Sequence, residues 1–307
     1  MVGVRQPVAY GFYPPEKRAL EEALRACFLD RHGPGRVPTV AAKRHGEVIG
    51  AVTPHAGYVY SGPVAAHTYE ALALDGFPDT FVLIGPKHGY MRFEGAAIMS
   101  SGSWATPLGD CAIDTSLARD IIRFGGAPAP ACIVESEQAH DEEHSLEVQL
   151  PFLQFLSKGK PVQIVPLVIS TSSYSACERV GEALAKAVGQ NSRSVAILAS
   201  TDFTHYGKYF YQYAPVGDGP IDKVIHWIYE TDGDLIRKIE QLDGKALVKT
   251  VVQEGRTMCG SSAVATMLVA ARRLGATQGR LLKYATSYDV RGSTDAIVGY
   301  GAIAVGR

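Results

Sequence analysis

Short runs of consecutive apolar residues alternate along the chain with segments whose apolar residues recur every three or four positions. The apolar runs predict strands at residues 47–54, 80–86, 162–170 and 194–201. Strands that are apolar along their whole length belong to a sheet that is covered on both faces. We therefore predict a single α/β domain over residues 1–307, with a mostly parallel or mixed central sheet and helices on both faces.

The amphipathic segments between these runs predict the helices. They lie at residues 16–31, 61–74, 114–124, 145–156, 176–189 and 260–276, and residues 220–252 are mainly helical. Asp114 is a candidate N-cap, and Pro151 predicts a kink or a break inside the segment that holds it. Two closing strands are expected at residues 280–290 and 296–305.

The composition excludes several classes of protein. With 307 residues, 46% hydrophobic and 20% charged, the chain can build a sizeable core. Its formal net charge of -1 and scattered basic residues argue against a nucleic-acid partner. An apolar run of about 18 residues is missing, so no membrane span is expected. The five cysteines are widely spaced and the first residues lack an apolar leader, which fits a reducing cytoplasm.

Histidines follow three of the predicted strands. His55 comes directly after the first, His88 after the second, and Asp202 and His205 after the fourth. Ligands of open α/β sheets bind beyond the carboxyl ends of the strands, so these side chains are expected at one edge. Neutral imidazole is a common ligand of zinc, iron and copper. The pattern favours a shared site over chance placement of ordinary structural histidines.

Two histidines need a further ligand to hold an ion. The candidates for that place are Asp202, Glu143, His144, His205 and Cys259. Cys259 precedes a predicted helix, where the helix dipole is expected to lower the thiol pKa and favour the thiolate. The alternative is that Cys259 is a small buried hydrophobe.

Other residues near the histidines are open to two interpretations. Glu143 suits the start of a helix, and His144 either points into the strand-end cleft or packs normally. Four tyrosines either line a pocket or serve as packing residues: Tyr58, Tyr60, Tyr90 and Tyr206. Structural or solvated roles are expected for the remaining polar residues of this kind, which are His32, His45, His67, His226, Asp141 and Glu142.

Several long segments resemble one family. The chain is similar in "TPHAGYVYSGPVAAHTYEAL", "VLIGPKH", "DEEHSLEVQLPFLQ", "IVPLVIS", "ASTDFTHYG" and "MCGSSAV" to the Memo family, called AmmeMemoRadiSam system protein B in microbes. The resemblance implies a fold like that of the class III extradiol (LigB-like) dioxygenases. It implies that His55, His88 and Cys259 surround a metal, iron or copper, with zinc less suited. It also implies that His205 takes the base position, with Asp202 and His144 at the site.

The residues and the resemblance leave two main functions open, and metal hydrolysis with zinc is a weaker third. One is a metal-dependent oxidoreductase or oxygenase, in which Asp202 orients His205 and His144 contacts the substrate. The other is a non-catalytic metal-binding or scaffold protein that holds a small molecule or peptide in the cleft. The family's microbial name implies association with radical-SAM and AMMECR1-like proteins. Gly89 stands where family members often have a second histidine.

Overall fold

A mixed β-sheet runs through the computed structural model, which describes residues 3–89, 93–126 and 132–307. Its strands are β1 (Val4–Arg5), β2 (Val48–Thr53), β3 (Thr80–Pro86), β4 (Gly95–Ile98), β5 (Ser103–Thr106), β6 (Gly109–Ile113), β7 (Ile133–Glu135), β8 (Gln163–Ser170), β9 (Val195–Ser200), β10 (His205–Tyr206), β11 (Gln278–Thr286) and β12 (Ile297–Gly306).

Ten α-helices accompany the sheet within the described residues. They are α1 (Lys17–Leu29), α2 (Tyr58–Asp75), α3 (Thr115–Gly125), α4 (His144–Glu147), α5 (Leu150–Ser157), α6 (Tyr174–Gln190), α7 (Ile221–Glu240), α8 (Gly244–Gln253), α9 (Ser261–Arg273) and α10 (Ser287–Arg291). In the part of the chain that the structure describes, none of these helices has the length and apolar character needed to cross a bilayer.

The centre of the sheet is parallel. Strands β8, β3, β9 and β2 are parallel neighbours, and β12 adds antiparallel to β2. Every residue of β3 is buried, because α4 and α9 both pack on it. The prediction of an α/β fold with a mixed sheet covered by helices is confirmed. The four apolar runs all form strands, within about one residue of the expected limits.

The expected helix cap at Asp114 and the expected break at Pro151 are both seen in the structure. The carboxylate of Asp114 accepts a hydrogen bond from the N–H of Leu117 at 3.1 Å, so Asp114 does cap α3. The segment with Pro151 breaks into α4 and α5, and the proline lies in the first turn of α5. A proline is tolerated there because the first N–H groups of a helix have no intrahelical partner.

The predicted strand at residues 280–290 is wrong in its last four residues. β11 ends at Thr286, and a capping box between Thr286 and Asp289 begins α10. The threonine side chain accepts from the N–H of Asp289, and the Asp289 carboxylate accepts from the N–H of Thr286. This reciprocal pair favours a helical turn over a further extended residue.

Several short strands were not expected from the sequence. The hairpin of β5 and β6 and the pair of β4 with β7 add to the sheet beyond β8. Their residues are few and partly small or polar, so the apolar period that marks a strand is weak there. They extend the sheet sideways, on the side of β8 opposite to β3.

Candidate functional site

The carboxyl ends of three parallel strands bring the predicted residues together. His55 lies two residues after β2, His88 two residues after β3, and Asp202 two residues after β9. The expectation that they share one edge of the sheet is confirmed. A ring nitrogen of His55, a ring nitrogen of His88 and the sulfur of Cys259 all lie within 4.8 Å of one another.

The spacing of these atoms fits a metal ion. The Nε2 atom of His55 lies 3.3 Å from the Sγ atom of Cys259. Two such ligands on a tetrahedral ion, with bonds of about 2.0 and 2.3 Å, are separated by about 3.5 Å. The imidazole and the sulfur therefore stand close to the separation that a shared ion requires.

His55 is held in the tautomer that a metal needs. Its Nδ1 lies 2.8 Å from the hydroxyl of Ser200, and that hydroxyl donates to the carbonyl oxygen of Ser145 at 2.8 Å. Since the Ser200 proton is used there, the hydroxyl accepts from Nδ1–H of His55, and the Nε2 lone pair faces Cys259. Burial, followed by the neighbouring histidines, lowers the pKa of His55 well below its ordinary value and keeps it neutral.

His88 is oriented by a buried carboxylate. Glu143 accepts from Nδ1 of His88 at 2.9 Å and from its backbone N–H at 2.8 Å. Burial alone would raise the pKa of Glu143, but these bonds and one from the N–H of Ser145 outweigh it and hold the pKa below its ordinary value. The ionised carboxylate fixes the proton on Nδ1, which leaves Nε2 of His88 free.

Glu143 therefore has a role that the sequence did not assign to it. It caps α4 by accepting from the N–H of Ser145 at 3.0 Å and orients His88 with the same side chain. Glu143, His88 and His144 also form a second group with ligand atoms within 4.8 Å of one another. Because both carboxylate oxygens of Glu143 already accept hydrogen bonds, the group with Cys259 is the better ligand set.

Cys259 lies two residues before α9 and is partly exposed. Its sulfur accepts from the N–H of Asp202 at 3.4 Å. The expectation that the helix start lowers its thiol pKa is wrong for the metal-free protein. Burial, reinforced by the charge of Asp202, raises the pKa of Cys259 to about 12. The thiol keeps its proton until a cation replaces it.

His205 faces the same region, but Asp202 does not orient it. The Nδ1 atom of His205 lies 3.0 Å from the carbonyl oxygen of Phe203 and 2.9 Å from that of Thr257. Carbonyls only accept, so Nδ1 carries the proton and Nε2 is free. Asp202 instead accepts from the backbone N–H of His55 at 2.9 Å, and burial raises its pKa. The predicted pairing of Asp202 with His205 is wrong.

His144 points into the site, which decides between its two interpretations. Its ring centroid lies 4.6 Å from that of His88, 5.6 Å from that of His55 and 4.4 Å from that of Phe12. Burial, followed by the electrostatic effect of the neighbouring His88, lowers the pKa of His144 to about 4. At neutral pH it is an uncharged imidazole that can donate or accept one hydrogen bond.

These histidines open onto a cavity of about 680 Å³, a size suited to a small organic ligand. His55, His88, His144, Asp202 and His205 all line it. Its aromatic walls are Phe12, Tyr60, Phe210, Tyr211 and Tyr300. Most of these were missed, although the aromatic runs "GFYPP" and "KYFYQY" were the available signal.

The four tyrosines divide between the two expected roles. Tyr60 lines the cavity. Tyr58 and Tyr206 are packing residues, and their hydroxyls donate to the carbonyls of Val148 and Gly217. Tyr90 lies outside the described residues. The histidines expected to be structural do not line the cavity; His67, for example, contacts the carbonyl of His32 at 2.9 Å.

A family model and individual relatives of this chain point to the same protein family. The sequence model of a family described as Memo-like protein matches residues 5–304. A MEMO1 family protein of Methanothermobacter thermautotrophicus is 40% identical over 299 residues, which cover 97% of this chain and 98% of that protein. One from Thermococcus onnurineus is 38% identical over 304 residues, which cover 98% of each.

A solved structure shares the fold. An uncharacterized protein from Escherichia coli K12 superposes with a TM-score of 0.51 at 13% identity, covering 83% of this chain and 98% of that one. At this identity the likeness concerns the arrangement of strands and helices alone.

Proposed function

This chain belongs to the Memo-like protein family, and from that premise we propose that it binds one metal ion through His55, His88 and Cys259 and acts as a metal-dependent oxidoreductase on a small molecule. The observation that carries the proposal is the convergence of two imidazole nitrogens and one sulfur within 4.8 Å. Partners on the far ring nitrogens prepare both imidazoles for ligation.

The ligand set favours particular metals. Two imidazoles and a thiolate suit Cu(I) or iron better than magnesium or calcium, which prefer oxygen ligands. Zinc also accepts two histidines and a cysteine with one open position. Bound iron or copper would supply Lewis-acid and one-electron chemistry at the edge of the cavity. Because zinc has no redox chemistry and the proposed reaction is an oxidation or reduction, we propose iron or copper ahead of zinc.

The remaining polar groups of the cavity are suited to handle a proton of the substrate. Because Nδ1–H of His205 donates to two carbonyls, Nε2 is the ring nitrogen left to take up a proton. It is the general base of the proposal. His144, neutral and close to His88, is the hydrogen-bond partner of the bound substrate. Asp202 holds the backbone of His55 and supports the ligand set.

The proposal is tested on protein purified without oxygen and loaded with Fe(II) or Cu(I). Bound metal is measured by elemental analysis, and oxygen uptake is followed with catechols and small reductants. We expect one ion per chain, turnover that is lost in His205→Ala with the metal retained, and loss of metal in Cys259→Ser. His226→Ala, on the exposed face of α7, is the matched control. A chain that takes up neither metal contradicts the proposal.

An alternative function is favoured by one observation. Tyr209 and Phe210 are 82% and 70% exposed, and Phe210 lies at the cavity mouth. Exposed aromatic residues in one place often mark a contact surface for another molecule. A non-catalytic protein that holds metal and receives a peptide at this mouth is the second candidate. Full metal loading without oxygen uptake from any reductant would favour it.

A further inference from the structure

The carboxylate of Asp232, on α7, is fully buried beside the residue that precedes His205. One of its oxygens accepts from the backbone N–H of Thr204 at 3.2 Å and from the hydroxyl of the same residue at 2.6 Å. Its other oxygen accepts from the hydroxyl of Tyr284 at 2.5 Å. A buried carboxylate is tolerated only when donors surround it. Two of the donors here come from Thr204, so the two residues are bound closely to each other.

Gly299, on β12, leaves room for this carboxylate and binds the other end of Thr204. A Cβ atom at Gly299 would overlap the Asp232 carboxylate and would lie 2.6 Å from the hydroxyl oxygen of Tyr284. The N–H of Gly299 donates to the carbonyl oxygen of Thr204 at 2.9 Å. Asp232 therefore binds the N–H of Thr204 and Gly299 binds its carbonyl, so both backbone polar groups of this residue are held.

A single peptide group connects Asp232 to His205. The carbonyl of Phe203 and the N–H of Thr204 belong to one planar unit, in which they point in opposite directions. Asp232 accepts from this N–H, and the carbonyl oxygen at the other end lies 3.0 Å from Nδ1 of His205. Since a planar group cannot turn at one end alone, the carboxylate also sets the direction of the carbonyl. Hydrogen bonds in series polarise one another, so an ionised partner on the N–H makes the carbonyl a stronger acceptor.

The second acceptor of the same ring nitrogen is held by the same turn of α7. Nδ1 of His205 lies 2.9 Å from the carbonyl oxygen of Thr257. The preceding residue, Arg256, donates from its guanidinium to the carbonyl oxygen of Thr231 at 2.8 Å. Because Thr231 and Asp232 are neighbours, one turn of α7 is bonded to both chain segments that supply a carbonyl to His205.

We propose that Asp232 is a positioning residue for His205: through the peptide group between Phe203 and Thr204 it aims a carbonyl at Nδ1, keeps the proton on that nitrogen and leaves Nε2 as the nitrogen that can take up a proton. The sequence assigned such a role to Asp202, which instead accepts from the backbone of His55. Control of the proton on His205 is a property of the protein without metal. Its effect on turnover rests on the proposed function.

The test uses the metal-free full chain with its histidines labelled with nitrogen-15, at a pH two units above the pKa of about 6 of Asp232, so that this carboxylate is ionised. NMR spectra that correlate ring protons with ring nitrogens show which nitrogen of His205 carries the proton. In the wild type this should be Nδ1. In Asp232→Asn the population with the proton on Nε2 should rise roughly threefold or more, because the carbonyl of Phe203 is held less firmly and accepts less strongly. The amide proton of Thr204 should move upfield, since its acceptor is no longer charged.

Three further variants separate this role from a general loosening of the structure. Gly299→Ala displaces the carboxylate and keeps its charge, so it serves where Asp232→Asn does not fold, and it should move the proton in the same direction. Tyr284→Phe removes the other hydrogen bond of the carboxylate but neither bond to Thr204, and should leave the proton on Nδ1. Glu230→Gln removes a charge from α7 at a side chain that is 68% exposed and should change nothing.

The proton position in these variants decides the proposal. A proton that stays on Nδ1 in both Asp232→Asn and Gly299→Ala would overturn it, and so would an equal change in Tyr284→Phe, which would mean a purely structural effect. In metal-loaded protein kcat of Asp232→Asn should fall while KM and bound metal stay unchanged, and an unchanged kcat would overturn the effect on turnover. Because the proton is located without metal, failure of the proposed function is detected separately, by elemental analysis and oxygen uptake of the loaded wild type.

Discussion

His88 and Glu143 are joined by two hydrogen bonds that use both carboxylate oxygens. One carboxylate oxygen accepts from the backbone N–H of His88 at 2.8 Å, and the other accepts from its Nδ1–H at 2.9 Å. The same carboxylate caps α4. One buried side chain therefore fixes the position, the rotamer and the tautomer of a proposed metal ligand.

We predict that Glu143→Gln weakens metal binding without unfolding the protein. A neutral amide no longer fixes the proton on Nδ1 of His88, so the affinity should fall by ~10- to 100-fold, as for other partners of metal-bound histidines. Competition with a chelator of known affinity measures this change. Glu142→Gln alters an exposed carboxylate one position away and should leave the affinity unchanged. Equal affinities for both variants would remove Glu143 from this role.

Metal uptake should depend on pH through Cys259. The pKa of its thiol is raised to about 12 in the metal-free protein, so the proton must leave when an ion binds. Between pH 7.5 and 9.5 the apparent affinity should rise by about tenfold per pH unit, because one proton is released per ion. Cys259→Ala should abolish that slope. A wild-type affinity that does not change over this range would contradict thiolate ligation.

Ser200 should matter as much as a ligand, although it touches no ion in the proposal. Ser200→Ala leaves the buried Nδ1–H of His55 without an acceptor, at a cost of about 1–3 kcal/mol, or moves the proton to Nε2. In either case metal affinity should fall by ~10-fold or more. Ser194→Ala, which changes the residue before β9 at the opposite end of the strand, is the control. Chelator competition compares the two variants.

The buried carboxylate of Asp232 should make stability fall between acidic and neutral pH. Burial raises its pKa from 3.8 to about 6, against hydrogen bonds from Thr204 and Tyr284. A raised carboxyl pKa means that the folded state holds the proton more tightly than the unfolded state. Its contribution is therefore complete below about pH 3.8 and is lost as the pH rises to about 6.

Asp232→Asn removes this titration and is the direct test. Relative to wild type, the free energy of unfolding of the variant should rise by on the order of 3 kcal/mol between pH 3.5 and pH 7. Urea denaturation at a series of pH values measures the difference, in which other titrating groups cancel. Parallel curves for the two proteins would show that Asp232 is not responsible.

The fold could largely be predicted from the sequence because its centre is built from long apolar strands. β2, β3, β8 and β9 are buried on both faces, and such strands leave an unbroken apolar run in the sequence. Short strands such as β5 and β6 leave no such run. They exist because a partner strand lies beside them, which only the folded chain provides.

The candidate site, like the fold, could be predicted from the sequence only in part. His55, His88 and Cys259 could be proposed because strand ends and family motifs point to them. The roles of Glu143 and Ser200 could not, since they depend on hydrogen bonds between residues 55 and 145 positions apart. The supposed pairing of Asp202 with His205 was wrong for the same reason: the Asp202 carboxylate accepts from the backbone N–H of His55, and Nδ1–H of His205 donates to the carbonyl oxygen of Thr257.

The span of chain between His55 and Cys259 has a consequence for assembly. The two side chains meet at 3.3 Å although 204 positions separate them. No fragment that ends before Cys259 can complete the proposed ligand set, so tight loading must wait until the chain has been synthesised and folded beyond that residue. A bound ion would link an early and a late part of the chain and would stabilise the folded state. Its dissociation would then indicate that the whole domain has unfolded.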